Sequence, residues 1–374
     1  MRVAKTQSQS RVVRRARHGE PSVSAPEGRA STIARPAEEI ASHGDRGLRL
    51  RWPALLALVV AIAGASLGVG DGDLADAGLR GVYLELRAWR LAAAALAGGA
   101  LAAAGVLVQG LFRNPLASPS ILGTSAGASL GGICALLGWG AGSEWLRARG
   151  IAPELLLPLG CVAGAWLSLA VLLAVAGRSS GIVSLLLTGF ILSSLFLSVA
   201  GLLTSFAQGT WELGRAVVAF TLGGVDAKGA RQVTLALPFV AVGATFGWAW
   251  GRHLDLLLSG EDEARSLGVD VVRARRWVIV WAAVLTAAAV AIGGNVAFVG
   301  LVVPHALRPW FGSSHRELLP AAMVGGAGFV VLVDIVTRVL PTEGEIPLGV
   351  VTGLVGAPLF LLLLARRPAL GGTR

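Results

Sequence analysis

Few side chains in this 374-residue sequence can do chemistry, and those few are dispersed. Lysine occurs only at Lys5 and Lys228. No G-x-x-x-x-G-K-[ST] loop can therefore cradle a nucleotide phosphate, and the chain is not itself a P-loop ATPase. The five histidines (His18, His43, His253, His305 and His315) show no H-x-x-x-H spacing that would set two imidazoles on one helix face for a metal. The Gly-x-Ser-x-Gly spacing does occur, as at Gly123–Gly127, but without the strand-to-helix context that makes a nucleophile elbow. Cys134 and Cys161 lie inside apolar blocks, without disulfide or zinc spacing, and read as small buried residues. What remains are polar groups embedded in apolar runs: Gln109, Asn295 and Asp334. An acid at membrane depth is a functional candidate by default. Asp334, however, precedes Arg338 by one helical turn, so a structural i,i+4 ion pair is at least as strong a reading. A proton-driven carrier would show more than one such acid. The residues thus assign no catalytic group, no metal site and no cofactor of the chain's own.

The elements that hold these residues are membrane helices. The sequence is 54% hydrophobic and 14% charged, against about 25% charged in ordinary soluble domains. Its apolar residues fall in long blocks rather than in a 2- or 3.6-residue alternation, which indicates membrane spans. Gly and Ala are abundant within the blocks, as expected where helices meet through small-xxx-small contacts. Candidate spans are 53–70, 90–112, 121–140, 153–176, 181–206, 230–250, 275–293, 296–308, 317–340 and 346–365. The eighth is too short to cross a bilayer alone and must be packed inside protein. The expected fold is all-α and polytopic, with about ten transmembrane helices, some of them partial. Ahead of it, residues 1–51 carry 11 Lys/Arg against 5 Asp/Glu and account for +6 of the formal charge of +10. This basic tail has no periodicity and is read as disordered, lying against anionic lipid rather than nucleic acid. It is too long and polar for a cleaved signal peptide, so the first apolar block is read as a retained span. Residues 52–367 then form the membrane domain and 368–374 a short C-terminal tail. With both termini in the cytoplasm, 16 basic residues fall inside and 9 outside, which favours that orientation by a modest margin. The outside surplus asks for its own explanation.

Two polar interruptions stand out. The stretch Arg113–Gly132, "RNPLASPSILGTSAGASLGG", breaks an apolar run with two prolines and four serines. Pro115 lacks a backbone donor and disfavours helix at Asn114, so a turn is expected there. The loop "SGEDEARSLGV" offers Ser259 as N-cap, Glu261, Asp262 and Glu263 in the first turn, and Gly268 as a stop. This short helix, about 259–268, would lie on the cytoplasmic face as a surface that another protein can grip.

These segments carry a resemblance. The run "RLAAAALAGGALAAAGVLVQGLFRNPLASPSILGTSAGASLGG" resembles the hallmark of the iron-chelate and cobalamin uptake permeases, the membrane subunits of type II ABC importers. "LLLSGEDEARSLGVD", "GNVAFVGLVVPHALR" and the ending "LVDIVTRVL…GEIPLGVVTGLVGAPLFLLLLARR" resemble the same family in the same order, covering nearly all of residues 50–367. The resemblance implies a homodimer of ten-helix subunits in the bacterial cytoplasmic membrane. Two ATP-binding cassette subunits, which use ATP and Mg, and a periplasmic or lipid-anchored substrate-binding protein would complete the machine. It makes the loop helix a coupling helix for the ATPase, with Ser259, Gly260, Glu261, Ala264, Leu267 and Gly268 as its residues. Gly260, Ala264 and Gly268 are small enough to permit close approach. Asn114 and Leu116 become gate residues at the inner mouth of the path. Arg87, Arg90 and Arg338 match outer basic positions that receive acidic residues of the binding protein. Asp334 and the Pro304–His305 pair match motif positions too and are read as structural.

The function expected is therefore that of a permease subunit and not an enzyme. It would translocate an iron complex, either a ferric siderophore or haem, with cobalamin as the close alternative. An ion-coupled carrier acting alone is the weaker alternative, since neither an inverted repeat nor several intramembrane charges is present. A purely structural or receptor-like membrane protein would lack both the loop helix and the proline-broken mouth.

Overall fold

The computed structural model describes residues 35–70, 75–149, 153–176, 182–226, 228–340 and 346–365. The expected disordered tail up to residue 34 and the C-terminal tail, 368–374, lie outside the described residues, as do Arg178, Arg366, Arg367 and Arg374 of the charge count. The chain divides into a unit of residues 1–47 and a unit of residues 48–374, and the architecture below is that of the second.

All regular structure among the described residues is helical: α1 (Arg35–Gly68), α2 (Arg80–Phe112), α3 (Thr124–Ala148), α4 (Pro153–Ala176), α5 (Ile182–Ala207), α6 (Trp211–Leu222), α7 (Ala230–Ala249), α8 (Gly251–Ser259), α9 (Glu261–Ser266), α10 (Val271–Gly293), α11 (Val299–Phe311), α12 (His315–Val339) and α13 (Leu348–Ala365), with one 3-10 turn at Pro119–Leu122. Seven stretches among the described residues are long and apolar enough to cross a membrane by themselves: Leu50–Gly68, α2, Leu155–Val175, Val183–Ala207, α7, α10 and α12. Helices α3, α11 and α13 occupy the other three expected spans. At 13 residues α11 is about 20 Å long, short of the ~30 Å hydrocarbon core, as expected of the eighth span. Two expectations are corrected. Helix α2 begins at Arg80 rather than near residue 90, so Arg87 and Arg90 sit on helix. The third span starts at Thr124, because Pro119–Leu122 forms its own 3-10 turn ahead of it.

Helix α2 is the axis of the fold. Its run of Ala, Gly, Val and Leu from Ala93 to Phe112 is apolar on every side, and a helix of that kind is stable only when surrounded. It is sheathed by α7, α10, α11 and α12, while α3 packs along α4, α5 and α10. Dispersion and close backbone approach, rather than water exclusion, hold such contacts in lipid. The α3–α4 crossing uses Gly127 and Gly131 against Gly160 and Gly164; a Cβ on Gly131 would lie 2.0 Å from the Gly160 carbonyl oxygen. The α2–α11 crossing is as tight, a Cβ on Gly105 falling 1.9 Å from the carbonyl oxygen of Gly300.

Candidate functional site

The inner turn follows directly from the end of α2. Arg113 adopts the left-handed conformation (φ 49°, ψ 32°) as C-cap, its N–H reaching the carbonyls of Gln109 and Gly110. The Asn114 side-chain oxygen accepts the Leu116 N–H at 2.9 Å, an Asx turn that Pro115 favours from inside. The chain then folds back beside α2. A Cβ on Gly300 would meet both the Leu101 carbonyl and the Pro119 ring, and one on Gly189 in α5 would strike the Ile121 carbonyl. A cavity of about 230 Å³ opens here, lined by Leu101, Ser118, Ser120, Ser125, Asn295 and Phe298 among others. Non-helical backbone and hydroxyl groups survive at membrane depth because they line a cavity. That explains the polar interruption. Asn114 is exposed and Leu116 half-buried, so both expected gate residues lie at the surface of this turn, with Asn114 also holding its shape.

The α8–α9 element differs in detail from the sequence reading. The amphipathic run Gly251–Ser259 forms a helix of its own, α8, and Ser259 is its last residue rather than an N-cap. Gly260 stands between α8 and α9 at φ 143°, a conformation side-chain-bearing residues avoid, and it supplies the N-cap position of α9 without any side-chain bond. Glu261, Asp262 and Glu263 occupy the first turn, where they complement the helix dipole. Gly268 at φ 84° ends α9: its N–H reaches the Arg265 carbonyl and the Val269 N–H reaches that of Ala264, a Schellman closure. Ala264 is fully buried within the chain itself, which corrects its expected place at a partner contact. Leu267 projects outward at 64% exposure, and nothing lies within 4 Å of the position a Cβ would take on Gly268.

Two polar anchors hold this element, and both bring together residues far apart in sequence. On α8, Asp255 accepts the His315 backbone N–H at 2.9 Å, lies 2.6 Å from His315 Nδ1, and accepts the Ser314 hydroxyl at 3.2 Å. Burial alone would raise the Asp255 pKa; the bonds from His315 and Ser314 outweigh it and hold the carboxyl below its ordinary value. On α9, Glu261 lies 2.6 Å from an Arg275 guanidinium nitrogen and 3.4 Å from those of Arg113 and Arg265. Neither the Asp255–His315 pair nor the Arg113–Glu261 pair has a local spacing that could announce it.

On the opposite face, Arg87, Arg90 and Arg338 do come together, around Asp334. Arg90 Nε donates to Asp334 Oδ1 at 2.9 Å, and an Arg338 nitrogen lies 2.8 Å from Oδ2 in an ion pair outside hydrogen-bond angle, so the i,i+4 pairing is present. Arg87 donates to the Leu67 and Gly70 carbonyls at 2.9 and 2.8 Å; Arg338 donates to those of Ser66 and Val69 and to the Ser66 hydroxyl. The expectation that all three arginines offer exposed charge is thereby corrected. The last turn of α1 leaves carbonyls without helical partners, and Arg87 and Arg338, both buried, supply the missing donors. Arg90, more exposed, edges a cavity of about 340 Å³ shared with Tyr83, Leu86 and Asp226.

Gln109 proves structural. Pro304 has no N–H to give the carbonyl of Gly300 four residues earlier, and Gln109 Nε2 donates to that oxygen at 3.3 Å while its Oε1 accepts from Arg308 at 2.9 Å. His305 is buried beside the Phe360 ring, in keeping with a structural Pro304–His305 pair.

Residues 56–366 match the model of the FecCD transport family. The Fe(3+) dicitrate transport system permease protein FecD of Escherichia coli (strain K12) is 37% identical over 76% of this chain and 85% of its own length. The cobalamin import system permease protein BtuC of Halobacterium salinarum is 36% identical over 85% of this chain and 80% of its own length. Among solved structures, a metal-chelate type ABC transporter in an inward-facing conformation superposes with a TM-score of 0.74 at 31% identity, covering 84% of this chain and 98% of the other. A re-entrant polar turn beside a buried helix axis, on a polytopic chain that lacks any nucleotide-binding loop, thus finds its place: the chain belongs to the FecCD transport family, as the membrane-embedded permease subunit of an ABC importer whose ATPase is a separate polypeptide.

Proposed function

We propose that this permease works as a homodimer with two ATP-binding cassette subunits and a substrate-binding protein, and imports an iron complex, a ferric siderophore or haem, across the cytoplasmic membrane. The observation that carries the energy-coupling part is the α8–α9 element. It is a rigid corner pinned to the chain through Asp255 and Glu261, with Leu267 standing outward. An apolar side chain held out in this way suits a cleft of an ATPase subunit. Leu267→Asp should release the ATPase from the purified complex while leaving the permease folded, since Leu267 makes no core contact; retained co-purification with wild-type ATPase rate would refute the assignment. Gly268 is a poorer probe, because its φ of 84° would strain any side chain placed there.

Neutral hydroxyl and amide groups at the inner cavity suit a polar chelate that must pass without being ligated. On this reading Asn114 and Leu116 gate the inner mouth, and Arg90 receives an acidic group of the binding protein, with Arg87 and Arg338 fixing the rim behind it. Both termini are placed in the cytoplasm, which puts α8–α9 on the ATPase side. Cobalamin is the second reading, favoured by the identity to the Halobacterium salinarum permease. Membership of an ATP-driven family removes the ion-coupled carrier that the sequence had left as an alternative. Uptake into proteoliposomes of iron-loaded siderophore, haem and cobalamin, each presented by the cognate binding protein, separates the substrates. Transport of cobalamin alone would overturn the iron reading.

A further inference from the structure

We propose that Arg113 is a positioning residue that transmits movement of the α8–α9 element to the inner-mouth turn, through its ion pair with Glu261. The inference rests on the reading of α8–α9 as the ATPase seat and of the Asn114–Leu116 turn as the gate. It names the contact between them.

Three observations carry it. First, the Glu261 carboxylate faces guanidinium groups from three places: Arg275 at the start of α10, Arg265 within α9, and Arg113 at the end of α2. Arg275 fixes the carboxylate to the helical frame and Arg265 belongs to α9 itself. Only Arg113 belongs to the turn. Second, Gly260 at φ 143° and Gly268 at φ 84° interrupt the helix on either side of α9, so no continuous helix joins it to α10 and its ties to its surroundings include side-chain contacts such as those of Glu261. Third, Arg113 is both the C-cap of α2 and the residue before Asn114. A pull on its side chain acts at a left-handed residue and passes directly into the Asx turn that sets Leu116.

The size of the effect follows from exposure. The Arg113 and Glu261 side chains are 33% and 28% exposed at a separation of 3.4 Å. A pair so placed adds little to folding but shifts a two-state equilibrium by a factor of about 2–5. Such a contact biases a gate without holding the protein together.

The test uses the complete transporter, permease with its co-expressed ATPase in lipid nanodiscs. In a Cys134→Ser background, a thiol introduced by Leu116→Cys reports on the mouth through its rate of reaction with a water-soluble maleimide, with and without ATP and vanadate. Arg113→Gln should cut the nucleotide-dependent change in that rate by about 2–5-fold, leaving co-purification and basal ATP hydrolysis as in the parent. Arg113→Lys should restore part of the change. Glu261→Gln should reduce it too, and combining Glu261→Gln with Arg113→Gln should add nothing further, the mark of a shared interaction. A full nucleotide response in Arg113→Gln, or independent addition of the two effects, overturns the proposal while the ATPase and gate readings stand. A Leu116 thiol indifferent to nucleotide in the parent complex overturns the gate reading, and the proposal with it.

Discussion

Asp334→Asn isolates the arginine cluster at the end of α1. The carboxylate is 1% exposed and faces two guanidinium groups, Arg90 Nε at 2.9 Å and an Arg338 nitrogen at 2.8 Å. Removing one member of a buried pair leaves an uncompensated charge, at a cost of about 3–5 kcal/mol. Two features place this case at the lower end. Asn keeps an oxygen that can accept from Arg90, and Arg90, at 18% side-chain exposure, can draw on water. Arg338, with a side chain only 8% exposed, has less relief; its remaining bonds run to the Asp334 backbone carbonyl and to Ser66 and Val69, so the end of α1 should loosen with it. The expected loss is about 3 kcal/mol, a fall in unfolding midpoint of about 4 °C for a chain of this size. Thermal unfolding of the purified permease in detergent, followed by tryptophan fluorescence, measures it directly. Asp226→Asn serves as the internal control, since Asp226 lines the same cavity but is exposed and makes none of these bonds. It should shift stability by no more than about 0.5 kcal/mol. A midpoint for Asp334→Asn within about 1 °C of wild type, on the order of the control's shift, would refute the view that the cluster holds the rim together.

Two further substitutions use the same apparatus. Gly98→Ala would bring a Cβ to 2.2 Å from the Gly326 carbonyl oxygen, so α2 and α12 must separate by about 1.2 Å, at a cost of roughly 1–3 kcal/mol. Gly81→Ala, on the same helix but with nothing within 4 Å, should instead gain up to about 1 kcal/mol from helix propensity; equal effects at the two sites would contradict the packing described. The third prediction concerns pH. Because the Asp255 pKa is depressed below its ordinary 3.8 by His315 and Ser314, its contribution to holding α8 is fully present above that value and is lost as pH falls through the lower, folded one. Amide protection factors in α8, corrected for intrinsic exchange, should therefore fall in acid for wild type, and in Asp255→Asn they should be low already at neutral pH and flat across that window.

Much of this protein is legible in short stretches of sequence. The apolar blocks mark all seven stretches that, among the described residues, are long and apolar enough to cross a membrane, because a helix in lipid must be apolar along its own length whatever its neighbours are. Pro115 announces the break after α2, and the Glu261–Glu263 run with Gly268 announces α9, because capping and left-handed torsion act within a single turn. The same local logic errs at Ser259, where α8 claims the residue because its amphipathic run is as strong a helix signal as the serine is a cap. The contacts that make the site are of another kind. Gln109 answers an orphaned carbonyl at Gly300, Asp255 meets His315, Arg113 meets Glu261, and Arg87 and Arg338 close the end of α1. Each joins residues on different helices. From sequence an arginine at the end of a span could as well reach lipid phosphate, a partner protein or a helix terminus; its long side chain serves all three equally. The sequence alone decides which segments enter the membrane and where they break. Only the packing of helices, which brings a carbonyl without a donor beside a donor without an acceptor, decides what each polar side chain does there.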